Sequence, residues 1–456
     1  MRLTHLITIL CSSALALPAS AQTSKALPEH GLTFTLPAAF TDVKDGRIGE
    51  QVKLAWDAKC EGSALHIDVY ILPTKEFGFE EPEDVMELVL ENLRDEKRGD
   101  PSFGFTKQET VAGPLGVTGY GSIGQGPIHG KEGTEEIGMR FLFGGIVPTA
   151  GYTVEVTAEP APGPDGTKAI LEFLKKGIVY KGEVRNPKWS DAEAKARWKA
   201  VVPPKLADKL EPVLRTEHYI IFTSANAKKS VKDFSDQMEK NYKQIKTTYP
   251  FEEGVGRKLM PVFLFQTPEQ YYDYFAKVFD TSVEQAQKSK GVAFEDWYAT
   301  WYEAPNDPVH IHEGTHQIFR NRLRLPGGGS WFQEGVAEYI CTSKNDRNDA
   351  ARTVKKGREV PLVEFVKVKS LLFSPKDKAK EKKGDEDAAS QYALAACLIE
   401  FLRESKFGKD KFQDFLHAVG LVPRSNLAAI QRAVKQVYGV DLAGVEKEWV
   451  EYCKKR

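Results

Sequence analysis

The chain has 456 residues, 41% hydrophobic and 11% aromatic, enough to bury sizeable cores and to fill two or three domains. Its 63 Lys and Arg are offset by 64 Asp and Glu, leaving a net charge of −1. That balance argues against nucleic acid or an anionic membrane surface as the main partner.

The first residues read as an export signal. Arg2 supplies the positive start, Leu6 to Leu17 form a short apolar core, and Ala19-Ser20-Ala21 is a cleavage site before Gln22. Cys11 sits inside the apolar core without the small residues that precede a lipoprotein cysteine. No other apolar run approaches the ~18–20 residues needed to cross a bilayer. The expectation is a soluble exported protein, periplasmic or extracellular, with no integral membrane segment after removal of residues 1–21. Cys60, Cys341, Cys397 and Cys453 then remain, few, far apart and without a CxxC spacing. One disulfide bridging the C-terminal helices and four buried thiols are both left open, and cysteine ligation of zinc is not supported.

Residues 22–185 are expected to form an α+β domain. Alternating apolar residues predict strands at 31–40 and 64–72, and further strands follow at 117–124, 139–147 and 151–160. Val85, Leu88, Val89 and Leu93 share one face of a helix over 82–98, and a second helix is predicted over 167–179. Antiparallel strands flanked by two helices resemble the PsbP-like class of small α+β domains. No acid/base cluster or metal-ligand spacing appears in this half, so its default role is scaffold or recognition. Residues 186–211 form a junction, with Pro187, Pro203 and Pro204 bracketing a short charged helix that starts at a capping box, Ser190-Asp191-Ala192-Glu193.

Residues 212–456 alternate strand and helix at first: strands at 218–224 and 258–266, helices at 233–249 and 268–279. The charged run 376–387 has no apolar period and is expected to be a solvated loop. Helices are predicted over 390–405, 409–419, 427–439 and 442–455, so this part ends mainly helical.

Between these lies VHIHEGTHQIF (309–319). Asp307-Pro308 is a strong helix start, with an acceptor at the cap and Pro where its missing N–H is harmless. At ~100° per residue, His312 and His316 stand one turn apart on one face, where two imidazoles can converge on one ion. Glu313 flanks that face, placed to take a proton from water. This is the H-E-x-x-H pattern. His310 points away from both ligands and is read as structural.

Catalytic zinc needs a third protein ligand. After the Gly run 327–329, taken as flexible, Ser330-Trp331-Phe332-Gln333 reads as a capping box, with Glu334 and Glu338 one turn apart beyond it. Trp331, Phe332, Val336, Ala337, Tyr339 and Ile340 make those surroundings apolar, and a carboxylate buried there needs a cation.

HEGTH followed by WFQEGVAEYI resembles the gluzincin superfamily of zinc metallopeptidases, and within it the peptidase MA-like group of exported bacterial proteins. The resemblance covers roughly residues 212–456 and implies a thermolysin-like domain with a small sheet and a mainly helical C-terminal part. It implies one Zn²⁺ held by His312, His316 and Glu334, with Glu313 as general base and Glu338 steadying a ligand histidine. It also implies a tyrosine at a helix start that donates to the oxyanion. Tyr392 of QYALAACLIEFL matches that position, although packing explains a tyrosine there equally well. Gly291, Val292, Ala293 and Phe294 match the edge strand that pairs with an extended substrate, and an ordinary core strand or loop remains the other reading. The expected function is an exported zinc-dependent metallohydrolase acting on peptide or protein substrates. The alternative is a non-catalytic, zinc-stabilised binding or scaffold protein of the cell envelope.

Overall fold

A computed structural model of the chain describes residues 23–49, 52–73, 77, 79, 81–94, 107–111, 120–129, 136–182, 190–202, 204–207, 210–225, 228–251, 258–357, 361–368, 370–371, 381–422 and 426–456. The expected export signal, residues 1–21, lies outside them. No described helix is long and apolar enough to cross a membrane.

The first half is built on antiparallel sheet. Strands β1 (Ser24–Leu27), β2 (Leu32–Thr35) and, much later, β10 (Ile178–Tyr180) form a small sheet in the order β1-β2-β10. A seven-stranded sheet runs β3-β4-β5-β9-β8-β7-β6, with β3 Thr41–Asp45, β4 Val52–Cys60, β5 Ser63–Pro73, β6 Lys107–Val111, β7 Tyr120–His129, β8 Glu136–Val147 and β9 Ala150–Glu159. Helices α1 (Pro82–Arg94) and α2 (Pro164–Glu172) complete it. The sequence assigns no strand to β3 or β4, although Lys53, Asp57 and Lys59 alternate with the buried Leu54, Trp56 and Ala58; β3 is almost wholly exposed and shows no apolar period. The second predicted helix also runs too far: after a π-turn at Phe173–Gly177 the chain extends into β10, which hydrogen-bonds to β2.

Helix α3 (Asp191–Val201) begins at the expected capping box. The Glu193 carboxylate accepts from the Ser190 N–H at 2.8 Å, and Ser190 Oγ accepts from the Glu193 N–H at 3.2 Å.

A third, five-stranded sheet follows in the order β11-β12-β13-β15-β14. Its strands are β11 Glu211–Arg215, β12 Tyr219–Thr223, β13 Met260–Phe265, β14 Gly291–Phe294 and β15 Trp297–Trp301. β12, β13 and β15 are parallel, whereas β11 and β14 are antiparallel edges. β12, β13 and β15 are buried at every position, as a sheet covered on both faces requires. Burying each large apolar side chain there contributes roughly 1.5–3 kcal/mol. Helices α4 (Lys228–Thr248) and α5 (Pro268–Val278) connect the parallel strands.

The rest is helical: α6 (Pro308–Ile318), α7 (Ser330–Cys341), α8 (Lys344–Lys355), α9 (Glu381–Glu404), α10 (Phe412–Gly420), α11 (Leu427–Tyr438) and α12 (Leu442–Lys454). Three expectations are corrected here. The charged run is not all loop, since residues 381–387 form the start of α9, while 376–380 lie outside the described residues. The Gly run 327–329 is not free, because the Gly327 and Gly328 N–H groups donate to Gly420 O and Val422 O at 2.6 and 2.8 Å. A Cβ on Gly327 would lie 2.1 Å from Val422 O, so the glycine is there for close backbone approach. Finally, the capping box at Ser330 does not form. Gln333 Nε2 donates to Leu325 O and Gly327 O, and Ser330 Oγ accepts from the Leu371 N–H.

The two halves share a core. Met86 of α1 and Leu142 of β8 belong to the same buried cluster as Ile318, Phe319 and Trp331. Beside them Glu81 is buried, 3.0 Å from the Arg324 guanidinium, and it accepts the Lys258 N–H at 3.1 Å. Arg324 also meets Asp84 at 3.2 Å. The N-terminal half is therefore locked to the chain just beyond the C-terminal end of α6.

Candidate metal centre

Helix α6 carries the HEGTH residues and is bolted to the sheet at both ends. Asp307 caps it by accepting the Val309 N–H at 3.0 Å, and Pro308 opens it. Near its start His310 is almost wholly buried. Its Nε2 contacts the Ala304 carbonyl at 2.9 Å and its Nδ1 the Tyr298 hydroxyl at 2.8 Å. A carbonyl only accepts, so Nε2 carries the proton and Nδ1 accepts from Tyr298, which fixes one neutral tautomer. Burial holds its pKa below the ordinary histidine value. His310 is thus structural, as its angular position implied. At the other end the buried Gln317 donates to Pro261 O of β13 and to Asp296 O, in the turn between β14 and β15, at 2.9 and 3.0 Å.

That anchoring aims His312 and His316 at α7. His316 Nε2 lies 3.2 Å from His312 Nε2. Glu334 Oε2 lies 3.3 Å from His312 Nε2 and 3.4 Å from His316 Nε2. A tetrahedral zinc with bonds of about 2.0–2.1 Å has ligand–ligand edges of about 3.3–3.4 Å. The three atoms therefore form one face of a tetrahedron of the right size, and its fourth corner is not taken by any of them.

The electrostatics make the same demand for positive charge. Burial opposes charging His312, yet Cys341, Glu334 and Glu338 hold its pKa well above the histidine range. Burial likewise opposes ionising Glu334, and His316 and His312 overcome it, keeping the carboxyl far below its usual range. A proton or a divalent cation between these atoms satisfies the cluster, and the donor set of two imidazoles and a carboxylate suits zinc.

Glu338, one turn beyond Glu334, has Oε1 3.1 Å from His312 Nδ1. A carboxylate accepts only, so Nδ1 donates the proton and the Nε2 lone pair is left for a metal. Replacing Glu338 by Gln should weaken zinc binding roughly 10–100-fold, measured by competition with a fluorescent chelator.

Glu313 is half-buried on the flank of this cluster. Burial raises its pKa, while His312 and His316 act against that. Its Oε2 accepts the Ala293 N–H at 2.8 Å. The segment Gly291–Phe294 is a strand at the sheet edge, paired among the described residues with β15 alone. Tyr392 lies inside α9 rather than at a helix start, because the helix begins at Glu381. Gly335 brings α7 against α9: a Cβ there would stand 3.0 Å from Ala395 O and 2.9 Å from Ile399 Cγ1. Through this contact Tyr392 comes within range of the site's charges. Burial raises its pKa, and Glu334, Glu338 and Glu313 push it further up. Its hydroxyl has no hydrogen-bond partner among the described residues, although its ring packs on the core.

Cys341 was missed by the sequence reading. Its Sγ lies 3.8 Å from His312 Nδ1 and 3.6 Å from Glu338 Oε2. The available signal was its place three residues after Glu338, on the same helix face.

No family model matches the chain, and no curated protein matches it. Among solved structures, the chain is similar to the solution structure of cyanobacterial PsbP (CyanoP) from Synechocystis sp. PCC 6803, with 12% identity and a TM-score of 0.27, over 38% of this chain and 99% of that one. It is also similar to a crystal structure from Bacteroides thetaiotaomicron VPI-5482, with 10% identity and a TM-score of 0.20, over 65% of this chain and 78% of that one. Likenesses this slight carry no argument.

Proposed function

We propose that the chain is an exported zinc-dependent peptidase of the gluzincin type, with one zinc held by His312, His316 and Glu334. The observation that carries this reading is the set of three donor atoms at tetrahedral-edge spacings, with the half-buried Glu313 carboxylate beside them. The antiparallel edge strand β14 next to the motif helix suits the same thermolysin-like assignment.

When bound, zinc supplies Lewis acidity, polarising a carbonyl group and making water a better nucleophile at neutral pH. The chain's own groups do the rest. Glu313, whose enclosure raises its pKa above the ordinary carboxylate value, accepts a proton from the attacking water and delivers it to the leaving amine. The Ala293 N–H holds that carboxylate in place. Tyr392 remains a neutral O–H donor at neutral pH and can donate to the oxyanion as it develops. Glu338 fixes the His312 tautomer. The outer edge of β14 can take an extended peptide by strand addition.

The test is metal analysis of the purified protein together with hydrolysis of casein. One equivalent of zinc and chelator-sensitive cleavage are expected. Stoichiometric zinc without cleavage would favour the zinc-stabilised binding or scaffold reading. Tyr392→Phe separates catalysis from packing, since it keeps the ring. An oxyanion donor predicts a fall in kcat of roughly 10²–10³-fold with unchanged zinc content and melting temperature. An unchanged kcat would leave Tyr392 a packing residue.

A further inference from the structure

Two cysteines outside the candidate metal cluster face each other between two helices, α9 and α12. Cys397 on α9 and Cys453 on α12 are both fully buried, at 0% and 1% exposure. Their thiols are within hydrogen-bond reach, and the contact with Cys453 holds the Cys397 pKa below the ordinary thiol range.

The same two helices are joined again one turn further along. Glu400, three residues after Cys397, is buried and pairs with the Arg456 guanidinium, three residues after Cys453, with one contact at 3.0 Å. This ion pair fixes the register of α12 on α9 and keeps the sulfurs apposed. Cys60 lies in the separate N-terminal core and Cys341 lies beside His312, so neither competes as a partner.

We propose that Cys397 and Cys453 are a disulfide site, closed when the chain meets an oxidising thiol–disulfide pool. One thiolate attacks a sulfur of a small disulfide such as oxidised glutathione, forming a mixed disulfide and releasing one glutathione thiolate. The second cysteine thiolate then attacks the protein sulfur of that mixed disulfide and displaces the other glutathione. Two protein thiols are oxidised, one small disulfide is reduced, and the two protons pass to the two glutathione thiols. Since both sulfurs are buried, the exchange takes place as α12 docks or transiently lifts.

The staple would secure more than two helices. Glu400 also lies 3.4 Å from Arg347 Nε, and Arg347 donates to Tyr339 O and Thr342 O at 3.1 and 2.6 Å, at the C-terminal end of the helix that carries Glu334 and Glu338. Closing the bond holds α12, and with it Arg456, in this network.

The test uses the full-length mature protein, equilibrated natively with oxidised glutathione, acid-quenched, unfolded and alkylated. The expected result is two alkylated cysteines, Cys60 and Cys341, and a cross-linked peptide pair containing Cys397 and Cys453. The oxidised protein should melt roughly 5 °C or more above the reduced one, and Cys453→Ala should lose that difference. Four alkylated cysteines, or a cross-link through Cys60 or Cys341, would overturn the proposal, and this peptide map of the unmutated chain decides it even if the variant fails to fold.

Discussion

Glu313→Gln should abolish casein hydrolysis while leaving zinc in place. Glutamine keeps the shape of glutamate, and its carbonyl oxygen can still accept the Ala293 N–H, so the local packing survives. It cannot accept and return a proton. Loss of a positioned general base costs typically 10²–10⁴-fold, and the initial rate should fall by at least the upper part of that range. Zinc content should stay near one equivalent, because the three proposed ligand atoms belong to His312, His316 and Glu334. Retained turnover in this variant would remove the assigned mechanism, whereas loss of zinc would show that Glu313 belongs to the ligand set.

Glu81→Ala should cause the largest loss of stability of any single change at the junction of the two halves. Glu81 is buried between Arg324 at 3.0 Å and Arg322 at 3.9 Å, and it also accepts the Lys258 N–H. Its removal leaves two guanidinium groups facing each other with less compensation. Breaking a buried pair from one side costs about 3–5 kcal/mol. Lys258 adds to the imbalance: burial and the two arginines hold its pKa down to about 7, against the pull of Asp296. Because this pKa is lowered on folding, the unfolded chain binds more protons above about pH 7, and the Lys258 contribution to stability rises with pH there. Unfolding in urea should therefore show this group's stabilising contribution growing from about pH 7 to pH 9 in the unmutated chain, and the variant's deficit is best read at a single pH. A deficit below 1 kcal/mol would mean that solvent reaches the cluster and screens it.

The cluster of His312, His316, Glu313, Glu334 and Glu338 was legible because helical spacing is local. His312, His316 and Glu313 follow from the period of a single helix, and Glu334 and Glu338 from that of the next. Gly291–Phe294 is expected as an edge strand only through the family resemblance, with a core strand or loop left open, and its place at the sheet edge depends on pairing with β15. What was not legible depended on tertiary contacts. Gln333 fits a capping box by sequence, yet two backbone carbonyls, Leu325 O and Gly327 O, compete for its amide and win. The first turns of α9 are too charged to show a period, and α9 is nonetheless continuous from Glu381 through Tyr392 into its buried half. The packing of α1 against the segment after α6 joins residues more than two hundred positions apart, and no local pattern announces it.

His310 offers a way to watch the motif helix directly. Its Nε2 proton is shielded from solvent and hydrogen-bonded to Ala304 O, so it should exchange slowly and give a downfield imidazole N–H resonance. The ring is tied to β15 through Tyr298 and not to the three converging donor atoms. That resonance should therefore persist in the presence of a chelator, reporting in a single NMR spectrum whether the helix stays seated on the sheet when no metal is bound.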